Sequence, residues 1–280
     1  MMPKPLSRRN FLKILSVSGG SLAGAWLLTG CTTLPSSTPP PETAPAASLT
    51  LAAGTVASLT ASPAPSDTPT GTLTSTPEPE TGFLPSAAEG NGTVPLPAPH
   101  QEGGMPLMQA LRVRHSTRTF LTDELPIAVL ADLLWAAFGI NRPQNGGRTA
   151  PSAYDFRDIE VYLAAPQGLF HYLAESHSLA ALSPVDLRPH TGTQSYVAAA
   201  PLNLVYVSDY RRMTGSTAQC EQWSWAHSGF IAQNVYLYCA SAGLACVVRS
   251  TIDREDLAAR MGLDKDQHIV LAQTLGYPAT

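Results

Sequence analysis

The heptapeptide RHSTRTF, residues 114–120, places two arginines, a histidine and a serine close together. Guanidinium groups bind phosphate through paired hydrogen bonds, and hydroxyl and backbone N–H groups add further donors. Together these groups offer donors to a single anion. Composition alone favours the other interpretation, a solvated basic turn between two helices, and periodicity does not decide between the two. The candidate anion-binding residues are Arg114, His115, Ser116 and Arg118.

The histidine and cysteine patterns do not predict a metal site. The seven histidines include no H-x-x-x-H or H-E-x-x-H spacing. Cys220, Cys239 and Cys246 have no C-x-x-C spacing, so we expect them to be small apolar core residues and not zinc ligands or disulfides. The chain has 17 Lys and Arg against 21 Asp and Glu, without a basic stripe. This composition argues against nucleic acid as a partner.

Helices and strands interleave along residues 104–280, and their order predicts an α+β domain. The run LPIAVLADLLWAAFGI has apolar residues at helical spacing between Pro126 and Gly139, and a shorter helix precedes it near residues 105–113. Strands are predicted at 159–164, 168–173 and 201–209, in ACVV and in HIVLAQTLGYP. A long helix at 218–242 turns apolar on nearly every side, which is typical of a buried or interface helix.

The first hundred residues predict export, a lipid anchor and a linker. Residues 1–31 contain the paired arginines of SRRNFLK and an uncharged run ending in LTGC, the pattern of a twin-arginine signal with a lipobox. Cys31 is the predicted lipidation site; the alternative is an uncleaved anchor in which Cys31 is a buried thiol. Residues 32–103 are rich in Pro, Thr, Ser and Ala and contain no Lys or Arg, so we expect a disordered linker. The folded domain is expected at 104–280, held outside the cell membrane by the lipid.

Four segments between residues 105 and 278 resemble the flavin-dependent nitroreductase family, in the family's order. They are RHSTRTF before the helix LLWAAFG, RTAPSAYDFRDIEVYL before a strand, GFIAQNVYLYCASAGLACVV, and VLAQTLGYPA. The pair LLWAAFGINR and GLFHYL resembles the SagB-like, or thiazole/oxazole-oxidase-like, dehydrogenases. The resemblance implies a nitroreductase-like fold with a central, mostly antiparallel sheet packed by helices. It also implies FMN as cofactor and a homodimer with the long central helix at its interface.

Three groups of residues would contact the flavin on the basis of this resemblance. The phosphate and the pyrimidine edge would be held by Arg114, His115, Ser116 and Arg118. The partner subunit would contribute Pro151, Ser152 and Ala153. The N5 side of the ring would face Val248, Arg249 and Ser250, with backbone N–H groups in contact.

The chain departs from the family pattern at three places. Asp155, which we place among the flavin-contacting residues, and Arg157 stand where relatives often have Asn and Gln. A carboxylate near a reduced, anionic flavin would be unfavourable unless Arg157 pairs with it. Ser250 stands in place of a glycine, which predicts a tighter approach to N5. The last segment offers no Lys or Arg, so phosphate affinity is expected to depend on the two arginines of RHSTRTF.

The remaining aromatic and polar residues of the long helix are expected to have structural roles. Core or dimer contacts are predicted for Trp223, Trp225, Tyr236 and Tyr238. His227 is interpreted as a satisfied polar residue near a helix end. The resemblance implies hydride transfer with little help from side chains, so no general acid is named.

The leading hypothesis is an exported, lipid-anchored, FMN-dependent oxidoreductase that transfers hydride between flavin and a small organic substrate. Export of folded cargo suits a protein that must bind its flavin in the cytoplasm. Because NAD(P)H is scarce outside the cell, a SagB-like dehydrogenase with another electron acceptor fits this location. The alternative is a flavin- or ligand-binding lipoprotein without turnover.

Overall fold

The computed structural model describes residues 82–87 and 92–279. Their main element is a seven-stranded sheet. The strands of these residues are β1 (Thr93–Pro95), β2 (Ile140–Arg142), β3 (Gly147–Arg148), β4 (Ile159–Ala165), β5 (Gly168–Leu173), β6 (Ser178–Ser183), β7 (Leu202–Asp209), β8 (Ala245–Arg249) and β9 (Gln267–Gly276). Strands β2 and β3 form a separate hairpin. The other seven pair in the order β1-β6-β5-β4-β7-β9-β8, and every neighbouring pair is antiparallel.

The α-helices of the described residues are α1 (Leu107–Val113), α2 (Ile127–Phe138), α3 (Thr217–Ala242) and α4 (Arg254–Met261). Helix α3 begins with a capping box, in which Ser216 and Gln219 bond each other's backbone N–H groups. Helices α3 and α4 end at Gly243 and Gly262, whose φ angles of 70° and 69° lie in the left-handed region that glycine adopts without strain. The predicted α+β class is confirmed by these elements.

Helices cover both faces of the sheet. Helices α2 and α3 pack on one face, where Leu133, Leu134 and Ile231 are completely buried. Helix α4 packs on the other face through Leu257, which belongs to a second apolar cluster with Val207. Every residue of β4 and β7 is buried as a consequence. Strands covered on both faces read as nearly continuous apolar runs, which explains why both were predicted from the sequence.

Two strands of the sheet were not predicted. Strand β6 reads SLAALS, and alanine and serine have low or neutral strand propensity. Strand β1 lies inside residues 32–103, which composition assigned to the linker, yet it pairs with β6. The side chain of Leu84 is also buried against the core. The sheet therefore includes residues upstream of the boundary predicted at 104. The predictions for residues 1–81 lie outside the described residues.

Helix α3 buries one side and exposes the other. Val235 and Cys239 are buried against the sheet, whereas Trp225 and Phe230 are exposed. A single chain therefore buries the apolar side chains on one side of α3 and leaves apolar side chains on its other side exposed. Among the helices of residues 82–87 and 92–279, none is both long enough and apolar enough to span a membrane.

Candidate functional site

Residues 114–118 run from the end of α1 along the edge strand β8. The N–H group of Arg114 donates to the Ala110 carbonyl at 2.9 Å and closes the last turn of α1. The N–H group of Thr117 donates to the Cys246 carbonyl at 3.0 Å. These two backbone bonds fix the path of the segment without using a charged side chain.

Tyr236 of α3 ties this segment to β8. Its hydroxyl accepts a hydrogen bond from the Val248 N–H at 2.9 Å and bonds the Ser116 hydroxyl at 2.8 Å. The Arg114 guanidinium carbon lies 5.0 Å from the centroid of the Tyr236 ring, within cation–π range. Sequence reasoning treated Tyr236 as a core or dimer contact. It is buried, but it also joins two of the three predicted flavin-contacting groups.

The charged side chains of the segment remain free to bind an anion. Within residues 82–87 and 92–279, no carboxylate lies within 4.0 Å of a guanidinium nitrogen of Arg114 or Arg118. His115 and Arg118 are exposed, and Arg114 is partly buried. The His115 ring bonds the Val113 carbonyl through Nδ1 at 2.8 Å, which leaves Nε2 available. Arginines without carboxylate partners at one place favour the anion-binding interpretation over a self-neutralised turn.

The cavity at this segment is small. It has a volume of about 180 Å³ and is lined by α1, α3, β8 and the loop between them, including Arg114, Tyr236 and Cys246. Sites for ligands of ordinary size have volumes of about 300–1,000 Å³. One chain therefore supplies only part of an enclosure for a molecule as large as a flavin nucleotide.

Residues 151–157 form a second, differently built segment. Tyr154, Asp155 and Arg157 have φ angles of 50°, 57° and 50°, in the left-handed region that costs non-glycine residues about 1 kcal/mol or more each. Arg157 pairs with Asp155 through Nε–Oδ1 at 2.9 Å and a second bond to Oδ2. This guanidinium lowers the pKa of the Asp155 carboxyl. The charge of Asp155 is therefore neutralised within its own segment.

An aromatic cluster lies on the same segment. The ring of Tyr154 is 83% exposed, and its centroid is 5.4 Å from that of Phe156 and 5.9 Å from that of Trp223. Phe156 and Trp223 are 5.3 Å apart. Trp223, predicted as a core or dimer contact, therefore supports an exposed tyrosine.

A buried hydrogen-bond network lies beneath residues 151–157. The Ala153 N–H donates to Nε2 of His227 at 2.8 Å, and His227 Nδ1 lies 2.6 Å from Oδ1 of Asp158. The other oxygen of Asp158 accepts a hydrogen bond from Ser208 at 2.8 Å. Asp158 is 0% and His227 3% exposed. His227 was predicted as a satisfied polar residue near a helix end; both ring nitrogens are bonded, but the residue lies well inside α3 and not at its end. Its partner Asp158 was not predicted, because the two residues are far apart along the chain and match no motif.

The two segments contact different parts of α3. Ser116 bonds Tyr236, whereas Ala153 bonds His227. At about 1.5 Å rise per residue, these two positions of α3 are about 13 Å apart along the helix axis. The predicted flavin-contacting residues of one chain therefore fall into two separate groups.

In the third predicted group, Val248, Arg249 and Ser250, several of the polar groups already have partners within the chain. Arg249 is buried, and its guanidinium donates to the Thr191 carbonyl and hydroxyl, the Thr274 hydroxyl and the Asn203 side-chain oxygen. Burial lowers the pKa of Arg249 to about 10. The Val248 N–H is already bonded to Tyr236, so neither this N–H nor the Arg249 side chain is available to a ligand. Of Val248, Arg249 and Ser250, only Ser250 is exposed.

Comparison with known proteins gives a consistent result. The Nitroreductase family model matches residues 111–277. A solved structure of a nitroreductase-like protein from Ralstonia eutropha is 46% identical, covers 72% of this chain and 98% of its own, and has a TM-score of 0.66. A nitroreductase-like protein of Methanocaldococcus jannaschii is 28% identical over 153 residues, which are 50% of this chain and 76% of that protein. The Escherichia coli microcin synthetase complex, at 20% identity and a TM-score of 0.53, covers 64% of this chain and 76% of its own and shares the fold alone.

Proposed function

Because the chain belongs to the nitroreductase family, whose members are oxidoreductases, we propose that it is an FMN-dependent enzyme. In this proposal it transfers hydride between flavin and a small organic substrate. The observation that carries the proposal is the segment 114–118. Its backbone is fixed by α1 and β8, and its two arginines have no carboxylate partner within the described residues.

The residues at this segment fit a phosphate-bearing ligand. Arg114 and Arg118 offer guanidinium groups that can bind phosphate oxygens in pairs, and His115 offers a ring nitrogen beside them. Tyr236 keeps Ser116 and Val248 in register, so that the donors of the segment have a fixed direction. Bound FMN would supply the two-electron chemistry, while the chain supplies charge, orientation and exclusion of water.

A homodimer is part of the proposal. Helix α1 packs along α3, and both helices carry exposed apolar side chains, which are Leu107, Met108 and Leu111 on α1 and Phe230 on α3. A second copy could cover these apolar side chains. It could also bring its residues 151–153 to the segment 114–118, which one chain leaves about 13 Å away along α3. The small volume of the single-chain cavity supports the same arrangement.

Export and lipid attachment are proposed from the sequence. SRRNFLK, the uncharged run and LTGC support export of the folded protein and acylation of Cys31. A twin-lysine variant of Arg8 and Arg9 should keep the protein in the cytoplasm, and Cys31→Ala should release it from the membrane fraction. Cell fractionation and radiolabelled palmitate incorporation test the two steps separately.

The proposed location outside the cell membrane restricts which electron donor or acceptor the enzyme can use. Outside the cell membrane NAD(P)H is scarce, so we propose that the enzyme oxidises or reduces its substrate with a different redox partner. The SagB-like resemblance of LLWAAFGINR and GLFHYL supports the dehydrogenase direction. The specific substrate is left to the assay.

A visible-absorption experiment tests the function. The full chain is purified after expression with riboflavin, and its flavin spectrum is followed during addition of dithionite, NADH, NADPH and a panel of quinones and nitroaromatic compounds. We expect a bound flavin that dithionite bleaches and that at least one organic acceptor reoxidises. A chain that binds FMN but never turns over with any partner supports the flavin-binding lipoprotein without turnover. A chain that binds no FMN contradicts the FMN-dependent enzyme and the flavin-binding lipoprotein, and leaves a lipoprotein that binds another ligand.

A further inference from the structure

We propose that Asp158 and His227 are positioning residues, which fix the backbone of residues 151–157 through one tautomer of the His227 ring. The inference rests on the proposed function, in which this segment contacts flavin. Neither residue touches the ligand in this proposal. They act through the N–H group of Ala153, which is the direct link between the network and the segment.

The hydrogen bonds determine the tautomer of His227. A backbone N–H can only donate, so Nε2 of His227 must be unprotonated to accept from Ala153 at 2.8 Å. The ring proton is therefore on Nδ1, where it is donated to Oδ1 of Asp158 at 2.6 Å. Ser208 of β7 donates to Oδ2 of the same carboxylate at 2.8 Å, which fixes its orientation. A buried carboxylate that sets the tautomer of a histidine is an established way to orient an imidazole.

The segment needs such an attachment because its backbone is strained. Three of its residues, Tyr154, Asp155 and Arg157, have left-handed φ angles, and such conformations persist only where surrounding bonds enforce them. The ion pair between Asp155 and Arg157 joins two residues of the segment to each other, at the surface. The bond to His227 instead joins the segment to α3 and, through Asp158 and Ser208, to the central strand β7. The network therefore holds the surface segment 151–157 in a fixed position relative to the core.

The proposal makes a specific claim about Asp158→Asn. The amide has nearly the same shape as the carboxylate, but its NH₂ group can donate to Nδ1 of His227 and favour the opposite tautomer. Nε2 would then carry a proton and face the N–H group of Ala153, so that two donors oppose each other. The segment should loosen although the packing of the core is preserved.

Hydrogen–deuterium exchange of the full chain measures this effect without flavin. For Asp158→Asn we expect exchange of residues 151–157 to rise about tenfold, the loss expected for one buried hydrogen bond, while exchange in β4 and β7 stays as in the wild type. FMN affinity, measured by fluorescence titration, should fall by a similar factor. His190→Gln is the matched control. It breaks another histidine–aspartate pair, His190 with Asp256 at 2.9 Å, which is partly exposed and shares no hydrogen bond with the Asp158–His227 network. It should change neither quantity.

Two variants of His227 keep the test decisive if Asp158→Asn folds poorly. His227→Gln retains an acceptor oxygen that can reach Ala153, whereas His227→Leu has none. We expect the glutamine variant to keep more exchange protection and more FMN affinity than the leucine variant. Equal behaviour of the two, or an exchange increase that extends equally through β4 and β7, would show a merely structural role and overturn the inference. Absence of FMN binding by the wild type would refute the proposed function instead, because the exchange measurement does not involve flavin.

Discussion

The segments 114–118 and 151–157 were both predicted to contact the same cofactor, but they are stabilised in opposite ways. In 114–118 the backbone is held by α1, by β8 and by the hydroxyl of Tyr236, and the arginines are left without carboxylate partners within the described residues. In 151–157 the charges of Asp155 and Arg157 neutralise each other, and the backbone is strained and held from below by His227.

The difference indicates two kinds of binding contribution. Unpaired guanidinium groups on an unstrained backbone can give their full charge to an anion. A strained backbone whose side-chain charges are neutralised contributes no net charge. It can instead donate hydrogen bonds from backbone N–H groups in fixed directions to the edge of a planar ring. The family resemblance predicts that both segments contact flavin, and their surroundings indicate what each one could contribute.

The largest effect is expected for Arg114→Ala. Loss of a charged hydrogen-bonding partner of phosphate should reduce FMN affinity by about tenfold to a hundredfold. The free energy of unfolding should change by less than about 1 kcal/mol, because within the described part of the chain the Arg114 side chain loses a cation–π contact with Tyr236 and no ion pair. Fluorescence titration and urea unfolding measure the two quantities. Arg112→Ala, an exposed arginine of α1, is the control, and equal FMN affinity of the two variants would contradict the assignment of phosphate to Arg114.

Tyr236→Phe should have the next largest effect, in this case on stability. Without the hydroxyl, the Val248 N–H and Ser116 lose their shared partner, which should lower the free energy of unfolding by about 1–3 kcal/mol. Chemical denaturation measures the change. Tyr238→Phe is a matched control on the same helix, since its hydroxyl makes only a long bond of 3.4 Å to Val129. If the two variants were equally stable, Tyr236 would not be the residue that anchors 114–118.

The strain in 151–157 can be measured by comparing Tyr154→Gly with Tyr154→Ala. Both remove the ring, but only glycine adopts a φ angle near 50° without steric cost, so the glycine variant should be more stable by about 1 kcal/mol. Thermal unfolding of the pair gives the difference directly. At Gln222, an exposed helical position of α3, the same comparison should have the opposite sign, because glycine is the poorer helix former. A preference for alanine at both positions would mean that the segment is not strained.

The smallest effect is expected for Asp155→Asn. Its ion pair with Arg157 is largely exposed, so the free energy of unfolding should fall by less than about 1 kcal/mol. The bond to Arg157 lowers the pKa of Asp155 below its usual 3.8, so the contribution is complete above that pKa and is lost as the pH falls through the lower folded-state value. Thermal unfolding across a pH series should show the two proteins converging in acid. A stability difference that is the same in acid and at neutral pH would assign the effect to something other than the ion pair.

The predicted elements of the central fold were confirmed where local signals were strong. Helix α2, helix α3 and strand β7 were predicted within one or two residues of their observed bounds, because caps, breakers and apolar spacing are encoded in short windows. Strand β6 was missed, since SLAALS has little strand propensity and is held by its neighbours β1 and β5. Strand β1 was missed because its composition matches the Pro-, Thr- and Ala-rich sequence that precedes it.

The candidate site was predicted in part. The motif RHSTRTF located two arginines that have no carboxylate partner within the described residues, and Asp155 is paired with Arg157, the condition named for a carboxylate at that position. Arg249 was counted with the flavin contacts, but its side chain is buried among Thr191, Asn203 and Thr274. A strand residue can point to either face, and the strand pattern around Arg249 did not show that its face is covered by the loop that carries Thr191.

Residue types at fixed short spacings encode the α+β class, most of the helix and strand order of the central domain, and the position of the arginine-containing segment 114–118. Which charged side chains lack a carboxylate partner within the described residues depends on tertiary packing. The tertiary structure also shows Tyr236 joining Ser116 to Val248, and His227 joining Ala153 to Asp158. Hydrogen bonds and burial of this kind depend on how α3 packs against the sheet, and no local pattern contains that geometry.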